Sequence, residues 1–513
     1  ASAVASIMGV RLAFNTITDL RRDVYAKTQR FSFGNFDELT SGEILTRLSS
    51  DMTKVTTLLA MGLSFIAQIP IMFLGALGAI VLIDLSLVVI VLVMIPVIAI
   101  LVGYIISQSN VLYDAVQSRI DRLNTVLQEN IQGAEVIKAF VRQDHEIERF
   151  DRVADDLADQ ATQVNQLVAS LFPTLILISS MGISAVLWLG GGNVIDGTLS
   201  DGELVAFISY MSMVAMPMMM FAFMQPMISA ASASMARISE IFETEPRVPA
   251  SIDGADLGAQ ASPGDIEFDN VSFRYAATDS TATMGKALKN VSLRISAGTT
   301  VAILGATGSG KSTLVNLIPR FYDATDGTVR VGGVDVRKLT KSSLRRNVGI
   351  ALQQPELFGG TVAENLRFAR PDATDEQLIA ATKAAQAHEF ISAMPDGYEA
   401  EIQQAGANLS GGQRQRLAIA RTLLLEPAIL ILDDSTSAVD LETEAHIQQA
   451  FEALADTTVV LVAQRISTAL GADEIVVLDE GSIVAHGTHD ELMAGSGIYQ
   501  DIYRSQLGEP AAT

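Results

Sequence analysis

Four stretches of this chain, residues 59–83, 85–107, 167–188 and 204–227, contain no Lys, Arg, Asp or Glu. A helix that crosses the hydrocarbon core of a bilayer needs about 20 predominantly apolar residues, and each stretch meets that length. One such run could be a buried core helix; four in succession predict a membrane domain. A shorter apolar start, residues 1–14, reads as the tail of a further span whose beginning is absent. The apolar fraction of 49% over 513 residues fits this reading, since the excess sits mostly in the first half.

The loops orient the spans. Residues 15–58 carry Arg21, Arg22, Lys27, Arg30, Arg47 and Lys54, and residues 108–166 carry Arg119, Arg122, Lys138, Arg142, Arg149 and Arg152. The turn at Asp84 and the loop 190–202 have no Lys or Arg. Because cationic loops stay on the cytoplasmic side, both long connections are expected in the cytoplasm. Helical spacing through 111–152 predicts that helices continue below the membrane. The net charge of −23 argues against a nucleic-acid partner, because binding phosphates along a duplex requires a basic face. The absence of Cys removes disulfides, thiol catalysis and cysteine metal sites.

After Arg237 the composition turns polar. Residues 246–263 are rich in Pro, Gly, Ala and Asp and predict a linker between a membrane domain at 1–245 and a second domain at 264–513. In the second domain, β-rich runs at 266–275, 299–304, 429–432 and 459–462 alternate with helical patterns, the signature of an α/β fold.

That domain carries phosphate chemistry. Gly305, Ala306, Thr307, Gly308, Ser309, Gly310, Lys311, Ser312 and Thr313 match G-x-x-x-x-G-K-[ST] between a strand and a helix. The glycines let successive N–H groups face a phosphate, and the following helix adds its positive end. Lys311 can reach β- and γ-phosphates, and Ser312 can hold Mg²⁺. Downstream, the apolar run 429–432 ends in Asp433 and Asp434, and a carboxylate there gives Mg²⁺ its second protein anchor.

The segment Leu409, Ser410, Gly411, Gly412 and Gln413 is LSGGQ, which distinguishes ABC ATPases among P-loop proteins. The whole chain resembles a half-transporter of the ABC exporter fold: an all-α polytopic membrane domain followed by an α/β P-loop ATPase. The resemblance implies that Tyr275 stacks on adenine, that Gln353 touches Mg²⁺ with Ser312 and Asp433, and that Asp440 belongs to the D-loop. Short helices near 36–42 and 133–140 resemble the two coupling helices. It also implies six spans per half, of which four whole spans and one tail are found here. Composite sites in this family pair one chain's P-loop with the other's signature.

Four positions depart from the family pattern. Asp434 replaces the glutamate that polarises the attacking water, which retracts by about 1 Å a carboxylate that must come within hydrogen-bond reach. Gln464 replaces the switch histidine, and an amide cannot carry positive charge. Gln403 and Gln404 stand where a Gly-Glu pair usually precedes the signature. These departures lead to the expectation of a degenerate site that holds ATP and hydrolyses it slowly. A second, different ABC half-transporter is then expected as partner in the inner or plasma membrane, rather than a second copy.

Eight of the 18 methionines fall in residues 211–227. Met216, Met220, Met224 and Met227 share one helix face, and flexible thioethers suit varied apolar ligands. With no charge inside the spans, the expected cargo is a lipophilic or amphiphilic small molecule, handled among membrane lipids. An importer on the same fold, for a siderophore-like ligand, and an ATP-gated regulator or channel are the alternative readings.

Overall fold

The structure is a computed structural model that describes residues 2–249, 251, 254–275, 285–452, 454 and 456–507, excepting the side chains of 2–6, 64, 66, 67, 215, 218, 219, 221–223, 225, 441 and 452. It divides into two compact units, residues 1–28 with 44–243 and residues 29–43 with 244–513.

The first unit is helical. Ser2–Thr28, Met52–Ile83, Val88–Gln132, Gln143–Ile195 and Asp201–Glu243 are its long helices. Helices spanning Ser41–Ile83, Val88–Gln132 and Gln143–Ile195 are long and apolar enough to cross a membrane, and the stretch 204–227 lies within Asp201–Glu243. The expected turn at Asp84 caps the end of Met52–Ile83, with its carboxylate accepting from Ser86 N at 2.7 Å and Ser86 Oγ at 2.6 Å. Val88–Gln132 and Gln143–Ile195 continue far beyond their apolar parts, in agreement with the helical spacing of 111–152.

Close packing in this unit is local. A Cβ on Gly182 would lie 2.3 Å from the Met211 methyl, and one on Gly190 would lie 2.6 Å from Leu204. Glycine at these two positions lets Gln143–Ile195 approach Asp201–Glu243 closely, a common device between membrane helices. By contrast Ile71, Leu82, Ile100 and Trp188 are 72–88% exposed, as expected of side chains that face lipid or another subunit. Toward the polar end, a π-helical turn at Arg47–Asp51 presents fully buried Asp51 to Arg237 Nε and Ser234 Oγ, each at 2.8 Å. Arg47 pairs with Glu240 at 2.8 Å.

The second unit is α/β. Among its described residues, a six-stranded sheet runs Ser482–Gly487, Glu474–Asp479, Thr300–Leu304, Thr458–Val462, Ile429–Asp433, Val348–Ala351. All of its pairings are parallel except the one to the edge strand Ser482–Gly487. Continuous apolar strands such as Ile429–Asp433 and Thr458–Val462 are buried at every residue, as a parallel sheet covered on both faces requires. A four-stranded antiparallel sheet, Leu288–Ile295, Ile266–Phe273, Asp326–Val331, Val334–Asp335, packs beside it.

Of the segment read as a linker, residues 250, 252 and 253 lie outside the described residues. Elsewhere in it Val248 and Leu257 are buried, and Ala255 bridges to Leu339. Residues 29–43 belong to this unit, and the first short helix runs Phe33–Glu38, starting before the expected 36–42. The Ser32–Asn35 capping box sets that start. The second short helix is Ala134–Ala139, within the helical unit.

Candidate functional site: a phosphate cradle with an altered far end

Four neighbouring parallel strands deliver the candidate residues to one edge of the sheet. The glycine-rich loop follows Thr300–Leu304, Gln464 follows Thr458–Val462, Asp433 ends Ile429–Asp433 with Asp434 next in the chain, and Gln353 follows Val348–Ala351. The carboxyl ends of parallel strands are where such sheets place ligands. They line a cavity of about 290 Å³ together with Tyr275 and Thr313.

At the near end, Gly308 and Gly310 adopt φ +84° and +104°. A Cβ on Gly310 would come within 2.7 Å of the Ala287 carbonyl oxygen, so this turn requires glycine. Gly310 caps the helix Lys311–Leu317. Lys311 Nζ donates to the carbonyls of Gly305 at 2.8 Å and Ala306 at 2.9 Å. Burial pushes its ammonium below the usual lysine range. The Ser309 hydroxyl is buried without a partner among the described residues. A buried orphan hydroxyl beside turned-in backbone amides fits an anionic ligand.

Ser312 Oγ donates to Asp433 Oδ1 at 3.1 Å. Burial raises the Asp433 carboxyl, with the Asp434 charge adding to it and the Ser312 bond and Lys311 opposing it. This hydroxyl–carboxylate pair offers the hard oxygens that suit Mg²⁺, and Gln353 lines the same cavity.

The far end is different. Asp434 sits in the left-handed region at φ +49°, with its N–H donating to Val462 O at 3.0 Å. Its Oδ2 accepts from Gln464 Nε2 at 2.9 Å and from Gln353 Nε2 at 3.3 Å. Burial also raises this carboxyl, against the Gln353 bond. The two substituted positions therefore touch each other, and one oxygen of the candidate base already accepts two amide donors.

Tyr275 closes the other side of the cavity. Its hydroxyl lies 3.0 Å from Thr313 Oγ1, and its ring meets Phe273 and Tyr322 edge to face. The signature residues stand apart from the cavity. Ser410 caps the helix Gly411–Leu423, and its Oγ accepts from Gln413 N at 3.2 Å. Leu409 is buried, and Gly412 lets the helix approach residue 438, where a Cβ would meet the Ala438 carbonyl at 2.9 Å. Asp440 accepts from Thr443 N at 2.9 Å and Thr443 Oγ1 at 2.8 Å.

Gln415, which no sequence motif marked, joins these two segments. Its Oε1 accepts from Ala438 N at 2.9 Å, and its Nε2 donates to Ser437 Oγ at 3.2 Å. Glu444 is equally silent in the sequence: it is buried and accepts from Thr436 and Thr468 hydroxyls at 3.0 and 2.7 Å. Only its charge on a mostly apolar helix face could have signalled it. Of the methionine face, Met216 is exposed, Met220 half-buried and Met224 buried. Met224 lines an apolar cavity of about 460 Å³ with Leu58, Leu59, Pro70 and Ile228; Met218 and Met219 lie outside the described side chains.

Comparison with known proteins agrees with this architecture. Residues 1–218 match the ABC transporter transmembrane region and residues 288–437 the ABC transporter family. YfiB of Bacillus subtilis, an uncharacterized ABC transporter ATP-binding protein, is 38% identical over 96% of this chain and 84% of its own length. YgaD of the same organism, a putative multidrug export ATP-binding/permease protein, is 36% identical over 96% and 84%. The ATP-dependent lipid A-core flippase of Desulfotalea psychrophila is 33% identical over 97% and 85%. A bacterial Atm1-family ABC exporter solved with ATP bound superposes with a TM-score of 0.82 at 28% identity, over 97% of this chain and 87% of that one. Spans, phosphate cradle, signature and relatives converge: the chain belongs to the ABC exporter half-transporters, integral membrane proteins in which a membrane domain is fused to an ATP-hydrolysing domain.

Proposed function

We propose that this chain is one subunit of a heterodimeric exporter, in which its own ATP site binds nucleotide with Mg²⁺ and turns it over slowly. The observation that carries the reading is the pairing of Gln464 and Gln353 with the same oxygen of Asp434. A general base must offer a free lone pair within reach of the proton it takes, and this one is short and has one of its two oxygens already engaged. A neutral amide at position 464 also leaves developing γ-phosphate charge less compensated than a cation would.

In this reading Gly305–Thr313 hold the phosphates, Lys311 compensates their charge, Tyr275 carries the adenine, and Ser312, Asp433 and Gln353 hold Mg²⁺. Mg²⁺ supplies charge compensation between β- and γ-phosphates when bound. Ser410 and its neighbours face the nucleotide of the partner, whose own glutamate and histidine carry most of the hydrolysis. The charge-free spans support a lipophilic or amphiphilic cargo, and so do the names of two relatives, a putative multidrug exporter and a lipid A-core flippase. Met224, facing an apolar cavity, is the cargo contact favoured by the packing.

Steady-state ATPase activity of the purified chain, alone and with its co-expressed neighbouring half-transporter, tests the proposal. A nearly inactive single chain and an active pair are expected. Full turnover by the single chain would return the reading to a homodimeric exporter.

A further inference from the structure

An unbroken path of side chains connects the cavity to the short helix Phe33–Glu38, and all of it lies within the second compact unit. Phe33 stacks on Phe321 with ring centres 4.2 Å apart. The next residue, Tyr322, donates its hydroxyl to Asp37 Oδ2 at 3.1 Å. The Tyr322 ring meets Tyr275 edge to face at 5.3 Å, and the Tyr275 hydroxyl reaches Thr313, two residues beyond the phosphate lysine, at 3.0 Å. Phe273 braces both tyrosines, at 4.8 and 5.4 Å.

The helix end of this path is firmly held. Asn35 Oδ1 accepts from the N–H groups of Ser32 and Arg247, both at 3.0 Å, and its Nδ2 donates to Glu245 O at 2.9 Å. Arg247 pairs with Glu38. Burial and the neighbouring Asp37 carboxylate push the Tyr322 phenol up, so it stays a proton donor throughout the physiological range. Edge-to-face rings have a preferred geometry, and a displaced ring disturbs its neighbour. Packed cores respond to small shifts by switching between discrete arrangements rather than by yielding.

We propose that Tyr322 is a positioning residue that fixes the Tyr275 platform and reports adenine occupancy to the helix Phe33–Glu38 through Asp37 and Phe33. This deepens the nucleotide reading above and rests on Tyr275 carrying the adenine. It predicts that the base of the nucleotide, and not only its phosphates, is sensed at residues 33–38. Inorganic tripolyphosphate fills the phosphate cradle and leaves the platform untouched. Cytidine triphosphate supplies a smaller stacking face.

The absence of cysteine from the chain makes the test direct. In the full chain, Phe36→Cys, at a position 43% exposed, is labelled with a maleimide without ligand and with saturating Mg–ATP, Mg–CTP or Mg–tripolyphosphate. The expected result is a change in labelling rate with ATP, a smaller one with CTP and none with tripolyphosphate. Tyr322→Leu should abolish the ATP response and weaken ATP affinity by about two- to ten-fold, the range of an aromatic pair, with tripolyphosphate affinity unchanged. The milder Tyr322→Phe keeps the rings and loses the bond to Asp37. It should retain ATP affinity and reduce the labelling response, which guards against a result caused by misfolding.

An equal response to ATP and tripolyphosphate, or an ATP response that survives Tyr322→Leu, overturns the proposal. The platform reading fails separately: Tyr275→Ala would then leave the affinities for ATP and tripolyphosphate as far apart as in the unaltered chain.

Discussion

The two ends of the nucleotide cavity were built under different demands. The phosphate end is complete, with glycines where φ is positive, a buried lysine, an orphan hydroxyl, and a hydroxyl–carboxylate pair with oxygens for a divalent cation. At the far end Asp434 and Gln464, the two positions read in the sequence as departures from the family pattern, are bonded to each other. The contrast teaches that the two demands fall on different ends of one cavity, because binding uses backbone amides and fixed charge whereas hydrolysis needs a base and a cation at particular distances.

The comparison breaks most visibly if the far end can be repaired. Asp434→Glu combined with Gln464→His is expected to raise the ATPase rate by about 10²–10⁴-fold, the range attributable to a positioned general base. Nucleotide affinity should change little. A repaired chain that stays slow would put the defect elsewhere, for instance at Gln403 and Gln404.

Damage to the near end should do the reverse. Lys311→Ala is expected to weaken Mg–ATP binding by about 10²-fold, the worth of one or two charge-assisted bonds, as read by isothermal titration. An unchanged affinity would mean that the cradle is not where nucleotide binds.

The pH profile of binding sharpens the same contrast. Asp433 must be ionised to hold Mg²⁺, and burial raises its carboxyl, so binding should fail on acidification at a higher pH than an exposed aspartate would permit. Lys311 must be charged, and burial lowers its ammonium, so binding should also fail on alkalinisation earlier than for an exposed lysine. On each limb affinity should fall about tenfold per pH unit. A profile flat across the range between ordinary Asp and Lys values contradicts both shifts.

The smallest of these effects concerns Tyr275→Phe. It keeps the ring and loses the contact with Thr313, at an expected cost of about 1 kcal/mol or less in stability, measurable by urea unfolding of the second unit. A larger loss would make the hydroxyl, rather than the ring, the structural element.

Legibility followed sequence distance. The cradle, the signature and the strand ending in Asp433 are contiguous motifs, and their local patterns largely determine their local structure. The spans were legible because a bilayer imposes a length and forbids charge. The bonds around Asp434 were not, since Gln353, Asp434 and Gln464 come from separate strands and meet only through the order of the sheet. The placement of residues 29–43 in the second unit was equally hidden. It depends on Asn35 and Asp37 bonding to Arg247, Glu245 and Tyr322, more than two hundred residues away. The methionine face divides between exposed Met216 and buried Met224 because periodicity fixes a face, while the neighbours that cover it come from other helices.

The φ of +49° at Asp434 has a consequence for the evolution of the site. Aspartate tolerates the left-handed region better than glutamate, because its short side chain can satisfy neighbouring backbone groups. Glutamate at this position would hold the base farther forward on a more strained backbone, and strain of this sort is kept where function demands it. Asp434→Glu alone should therefore lower the melting temperature while it restores reach, the loss in stability being a fraction of the about 1–3 kcal/mol that such a backbone conformation costs. The shorter residue is the less strained choice at this backbone geometry, so conformational relaxation favours aspartate here whatever the rate at which the site turns over.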